Sequence, residues 1–201
     1  MQADWEFEVG GDAPVIDAHW QGFVDLRVSP ERVSDLPEAV QLPGLAAALL
    51  RLNSEGSPVW TSKCDSWLVL EREEFDADEL DAPSGCSMHA AACYIDILPR
   101  ADHAWSLPQP AEAACKLLCG LLGPVPLRYC RVDLIVRRAL IALNRMNLGR
   151  MDLDPMDLDP MDLGMTAYIT ACGPTPAQAV QTLEKALIAF ADALCPSSTL
   201  Q

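Results

Sequence analysis

A chain of 201 residues, half of them apolar, is long enough to bury the core of one domain, so a single α+β domain over residues 1–201 is the expected organisation. Its 14 Lys and Arg against 29 Asp and Glu leave a formal charge of -15, which disfavours nucleic acid and anionic membrane as partners and favours basic ones. The acidic opening "MQADWEFEVGGDAP" lacks the apolar core of a secretory leader, and no run approaches the ~20 apolar residues of a membrane span; the expected location is therefore cytoplasmic, with the eight cysteines reduced.

In chain order, "WQGFVDLRV" (20–28) reads as the first strand and "GLAAALLRLN" (44–53) as a helix, with Pro37 and Pro43 breaking the stretch before it. "PVWTSKCDSWLVLE" reads as a strand, and "EREEFDADELDAPSG" (71–85), with seven acids and one arginine, as a solvated connection. Then come a short strand in "AACYIDILPR", a helix in "PAEAACKLLCGLLG" and a long strand in "LRYCRVDLIVRRALIAL". "GMTAYITACG" alternates Met165, Ala167, Ile169 and Ala171 against Thr166, Tyr168, Thr170 and Cys172, a strand with one buried face. The last helix has Thr175 as N-cap, Pro176 at its first position and Gln178 at the third. Its apolar stripe is Val180, Leu183, Leu187, Phe190 and Leu194. This order predicts a ferredoxin-like βαββαβ sheet with an additional C-terminal strand and helix, the helices mainly on one face.

Residues 146–164 contain a repeated pentapeptide, MNLGR, MDLDP, MDLDP and MDLG, and read as a tolerated acidic loop, since loop-closure entropy grows only logarithmically with length. The aspartates lack the glycine and closing glutamate of a calcium loop. Arg128, Arg131, Arg137, Arg138, Arg145 and Arg150 precede the loop and offer it a stripe to fold against.

Strand parity yields the candidate site. If Val24, Leu26, Cys93, Ile95, Ile97, Val132, Leu134, Val136, Ala167 and Ile169 face the helices, the other face carries Phe23, Asp25, Arg27, Lys63, Asp65, Trp67, Tyr94, Asp96, Arg131, Asp133, Arg137, Tyr168 and Thr170. Phe23, Trp67, Tyr94 and Tyr168, edged by Arg131 and Arg137, fit a contact patch for a protein partner or a second copy of the chain. An enzymatic alternative uses the aspartates of "FVDL", "YIDI" and "RVDL". Asp25 and Asp96, with Asp133 nearby, would hold Mg²⁺ for chemistry on a phosphorylated or nucleotide substrate. No Gly-rich phosphate loop accompanies them.

Cys86, His89 and Cys93 have the spacing C-x2-H-x3-C, but Cys93 belongs to a strand and no fourth ligand is spaced for zinc. Cys172, ending a strand just before a helix, is the candidate reactive thiol, although no histidine is linked to it by spacing. The sequence favours an acidic protein-binding module, immunity-, inhibitor- or adaptor-like, without a cofactor, over an enzyme.

Overall fold

The opening heptapeptide alternates Ala3, Trp5 and Phe7 with Gln2, Asp4, Glu6 and Glu8, the period of a strand with one buried side. In the computed structural model, which describes residues 1–8, 15–18, 20–69, 76, 78–83, 88–100, 108–141 and 162–196, this stretch is strand β1 (Gln2–Glu8). A two-residue strand, β2 (Ile16–Asp17), follows. The segment 20–28, expected as the first strand, is not one. Gly22 adopts a φ of 103°, the Asp25 carboxylate accepts the backbone N–H of Arg27 at 3.0 Å, and the Asp25 carbonyl accepts from the N–H groups of Val28 and Ser29. These local bonds fold the segment into turns and occupy the backbone groups that a sheet would need.

Pro37 and Pro43 do more than interrupt the next stretch. They open helices α1 (Pro37–Gln41) and α2 (Pro43–Leu52), at the first-turn position where a missing N–H sacrifices no bond. Strands β3 (Val59–Val69) and β4 (His89–Pro99) pair antiparallel, with an irregularity between Thr61 and Cys64. Helix α3 (Pro108–Leu122) buries Ala111, Cys115, Leu118 and Leu122 at helical spacing, passes through Gly120 and ends before Gly123. Strands β5 (Cys130–Leu140) and β6 (Leu163–Gly173) and helix α4 (Pro176–Leu194) complete the chain. The Thr175 hydroxyl caps α4 by accepting the Gln178 N–H at 3.2 Å, as its sequence predicts.

The sheet order is β1-β5-β6-β4-β3, with β2 pairing β5. β1 runs parallel to β5, whereas β5 with β6, β6 with β4 and β4 with β3 are antiparallel. The result is a mixed α+β fold. It is not the element-by-element arrangement that the sequence predicts, because residues 20–28 contribute no strand and β1, read there only as an acidic terminus, supplies an edge instead.

One side of the sheet carries the main core. Cys93, Ile95, Ile97, Val132, Leu134, Val136, Ala167 and Ile169 are buried with Leu45, Leu49 and Leu52 of α2, Cys115, Leu118 and Leu122 of α3, and Leu183, Leu187 and Phe190 of α4. Each fully buried Leu, Ile or Phe contributes roughly 1.5–3 kcal/mol, so a one-residue slip of any central strand would forfeit several such terms and turn charges inward. That burial fixes which side chains the opposite face displays. No helix among the described residues is long and apolar enough to cross a membrane.

Candidate binding site

Pairing registers arrange the opposite face into three rows. Gln2, Arg131, Thr170, Ala92 and Trp67 form the first, and Asp4, Asp133, Tyr168, Tyr94 and Asp65 the second. Glu6, Ile135, Thr166 and Asp96 form the third. Among the described residues the α-helices build the core on the other side, and only the two ends of this face are closed. At one end Ile16 and Ala18 cover Trp60, Leu98 and Ala139. At the other, Leu80 and Met88 cover Ala90 and Cys172. A strip remains between them, running across the strands.

Trp67, Tyr94, Tyr168, Arg131, Arg137, Asp96 and Asp133 therefore share the face that parity assigns them. Phe23 and Asp25 do not. The Phe23 ring packs edge-on to Trp60, centroids 5.9 Å apart, inside the closed end. Asp25 pairs with Arg27 at 2.7 Å in its turn, and the hydrogen bond from Arg27 holds its carboxyl below the usual range. The proposed pairing of Asp25 with Asp96 across neighbouring strands is lost with the strand itself, and with it the geometric basis for a two-aspartate Mg²⁺ site.

The rings form a ladder. Trp67 and Tyr94 have centroids 6.4 Å apart, Tyr94 and Tyr168 6.0 Å, and the Arg137 guanidinium lies 5.6 Å from the Tyr168 centroid. These separations are those of favourable offset and cation–π contacts, about 0.5–1.5 kcal/mol each. Trp67 stands at the outer end, on edge strand β3, with 41% of its surface exposed.

Beside the ladder lies a buried charge. Asp96 is only 6% exposed, although it points to the uncovered side. Burial raises its carboxyl pKa, opposed by the hydrogen bond from the Thr166 hydroxyl at 2.6 Å and then by Lys63 and Arg137. The Thr166 oxygen also accepts from Arg137 Nη1 at 3.4 Å, while the same Nη1 donates to the Tyr168 hydroxyl at 3.2 Å and Arg137 Nε donates to Glu8 at 2.7 Å. Glu8, Arg137, Thr166 and Asp96 thus form one continuous polar chain across β1, β5, β6 and β4. Tyr94, pressed against the same group, has its pKa pushed up to about 12, first by burial and then by the negative charge of Asp96. At neutral pH its hydroxyl keeps its proton and can donate to a ligand.

The first row holds a second polar group. Arg131 Nε donates to Asp133 at 2.7 Å, and its Nη2 reaches Asp4 at 3.7 Å. Next to it lies a cavity of about 240 Å³ lined by Trp67, Asp76 and Glu79 among others.

Cys172 is fully buried, and burial raises its thiol pKa, opposite to the lowering expected of a thiol before a helix. Parity explains this: the side chain packs with Leu80, Met88 and Ala90 on the face away from α4. Among the described residues no group of three or more His, Cys, Asp or Glu is arranged to hold a metal ion. His89 is exposed at the start of β4 and Cys93 lies in the core. Cys86 lies outside the described residues, as does the acidic repeat loop up to residue 161.

Sequence reasoning missed Asp4, Glu6 and Glu8, which border the strip, and Thr166, which links its two charges. The signal was present in "QADWEFE", whose strict alternation is as clear as that of β6. No protein family, curated protein or solved structure matches the chain.

Proposed function

We propose that this is a protein-binding module, acting as an immunity protein, inhibitor or adaptor does, and that the strip between the two closed ends is its contact surface. The observation that carries the reading is the ladder of Trp67, Tyr94, Tyr168 and Arg137, held on the strands of a packed sheet and left uncovered by the described helices. Aromatic side chains dominate binding hot spots because they bury large areas with few rotors, arginine joins them through its planar guanidinium, and rigid elements present both with a small ordering penalty. Asp4, Glu6, Glu8 and Asp65 at the margins, with the net charge of -15, support a basic partner met in the cytoplasm and steered by long-range attraction. A second copy of the chain meeting the same strip is the close variant.

The scaffold fits such a role. The antiparallel order β5-β6-β4-β3, backed by α3 and α4, supports reading this part as a ferredoxin-like unit whose first strand and helix would be β6 and α4 at the C-terminal end of the chain. Replacing Trp67 or Tyr94 by Ala tests the reading. It predicts that partner capture or self-association weakens at least about tenfold, the scale of one truncated hot-spot residue. Unchanged capture by both variants would reject it.

A further inference from the structure

We propose that the cavity beside Trp67 is the anchor pocket for a single arginine side chain of a basic partner segment, a specification that rests on the protein-binding reading above. Its volume of about 240 Å³ falls below the ~300–1,000 Å³ of sites that enclose whole metabolites, and suits one guanidinium with part of its stem. The walls are chemically divided. The lining combines Trp67 and the apolar Val69, Leu80 and Ala92 with the acidic Asp76, Glu79 and Asp133 and the basic Arg131.

Among the described lining residues three carboxylates face one cation, a formal charge of -2, and with Asp133 paired to Arg131 the carboxylates left for a guest are those of Asp76 and Glu79. Arg131 does not offset this for an incoming anion, because its Nε is already committed to Asp133 at 2.7 Å and its Nη2 faces Asp4 at 3.7 Å. An anionic ligand would therefore meet repulsion, and an apolar one would strip water from carboxylates without replacing it. A cation satisfies both walls. Among cations the planar guanidinium is favoured over an ammonium, since it stacks on an indole face while its edge N–H groups reach carboxylates. Glu79 is exposed and, beyond a through-space attraction to Arg131, makes no close ion pair among the described residues, so a guest can engage it.

The probe is N-acetyl-arginine methylamide, titrated into the full chain while the five tryptophan indole N–H signals are followed by NMR, with the uncharged citrulline analogue as control. Saturable movement of the Trp67 signal at millimolar probe is expected, the affinity range of so small a ligand. The citrulline analogue should bind at least about fivefold more weakly, as loss of a cation–π and ion-pair contact implies. Glu79→Gln, a surface change, should weaken arginine binding roughly threefold while the other four indole signals stay in place, and Trp67→Leu should abolish it. Equal binding of the two probes, or no movement of the Trp67 signal, would overturn the assignment. The two readings fail separately. Arginine binding at Trp67 with partner capture indifferent to Trp67→Ala removes the protein-binding function and keeps the pocket, whereas Trp67-dependent capture without arginine binding removes the pocket alone.

Discussion

Arg137→Met tests the polar chain that crosses the strip. Methionine retains the apolar stem of a side chain that is 16% exposed, so the loss isolates the guanidinium. Its ion pair with Glu8, itself 59% exposed, is worth about 0.5 kcal/mol. Stacking on Tyr168 adds roughly 0.5–1 kcal/mol, and the two longer hydrogen bonds to the Thr166 and Tyr168 hydroxyls about 0.5–1 kcal/mol together. The variant should therefore lose about 2 kcal/mol, or roughly 4–8 °C in Tm for a chain of this size. The loss should also depend on pH. Arg137 is one of the charges that hold the Asp96 pKa down, so removing it raises that pKa further and deepens the loss as pH rises through the titration of Asp96. In acid, where Asp96 is protonated, the deficit should shrink. The Asp96→Asn background removes that dependence and leaves only the contacts that do not involve the Asp96 charge. Urea denaturation of the four proteins across the acid-to-neutral range measures this. A loss below about 0.5 kcal/mol, or identical pH dependence in both backgrounds, would refute a coupled chain.

Asp96→Asn alone should stabilise the protein at neutral pH. A carboxyl whose folded pKa is raised binds more protons folded than unfolded, so the wild type loses stability as pH climbs from its unfolded value of 3.8 through the folded one. Asn keeps an oxygen for the Thr166 hydroxyl without the buried charge; denaturation curves should coincide in acid and diverge above, and a less stable variant at neutral pH would contradict the assignment. Gly44→Ala should cost about 1–3 kcal/mol, because the new Cβ would lie 2.6 Å from the Glu184 Cβ and 2.7 Å from its Cα, forcing α2 away from α4. A neutral or stabilising effect in thermal unfolding would place the two helices differently.

The face was legible because β5 alternates buried with half-buried residues along most of its length, and the middle of β6 repeats the pattern. Val132, Leu134 and Val136 set against Arg131, Asp133 and Arg137 leave one choice of parity, and the Thr175–Pro176 cap marked the start of α4 to the residue. The strand order was not legible. Which strands pair depends on how the helices pack and on long-range closure, and nothing local in β1 announces a parallel partner 129 residues away, as Glu8 has in Arg137. Residues 20–28 misled for the opposite reason. Their alternation is real, but an Asp two residues before an Arg, following a glycine in the left-handed region, makes turns that compete with pairing. The closed ends of the strip escaped notice because Leu98, Trp60 and Cys172 have the parity of the open face and are covered only by distant segments.

The most direct test is quantitative capture from cells of the native host, with the recovered partner identified and its affinity measured for the wild type, Trp67→Ala and Glu79→Gln at two salt concentrations. The strip predicts a partner with a basic segment, bound at least about tenfold more weakly by Trp67→Ala and more weakly by all forms at high salt. An acidic partner, or one bound equally well by all three proteins, would contradict it.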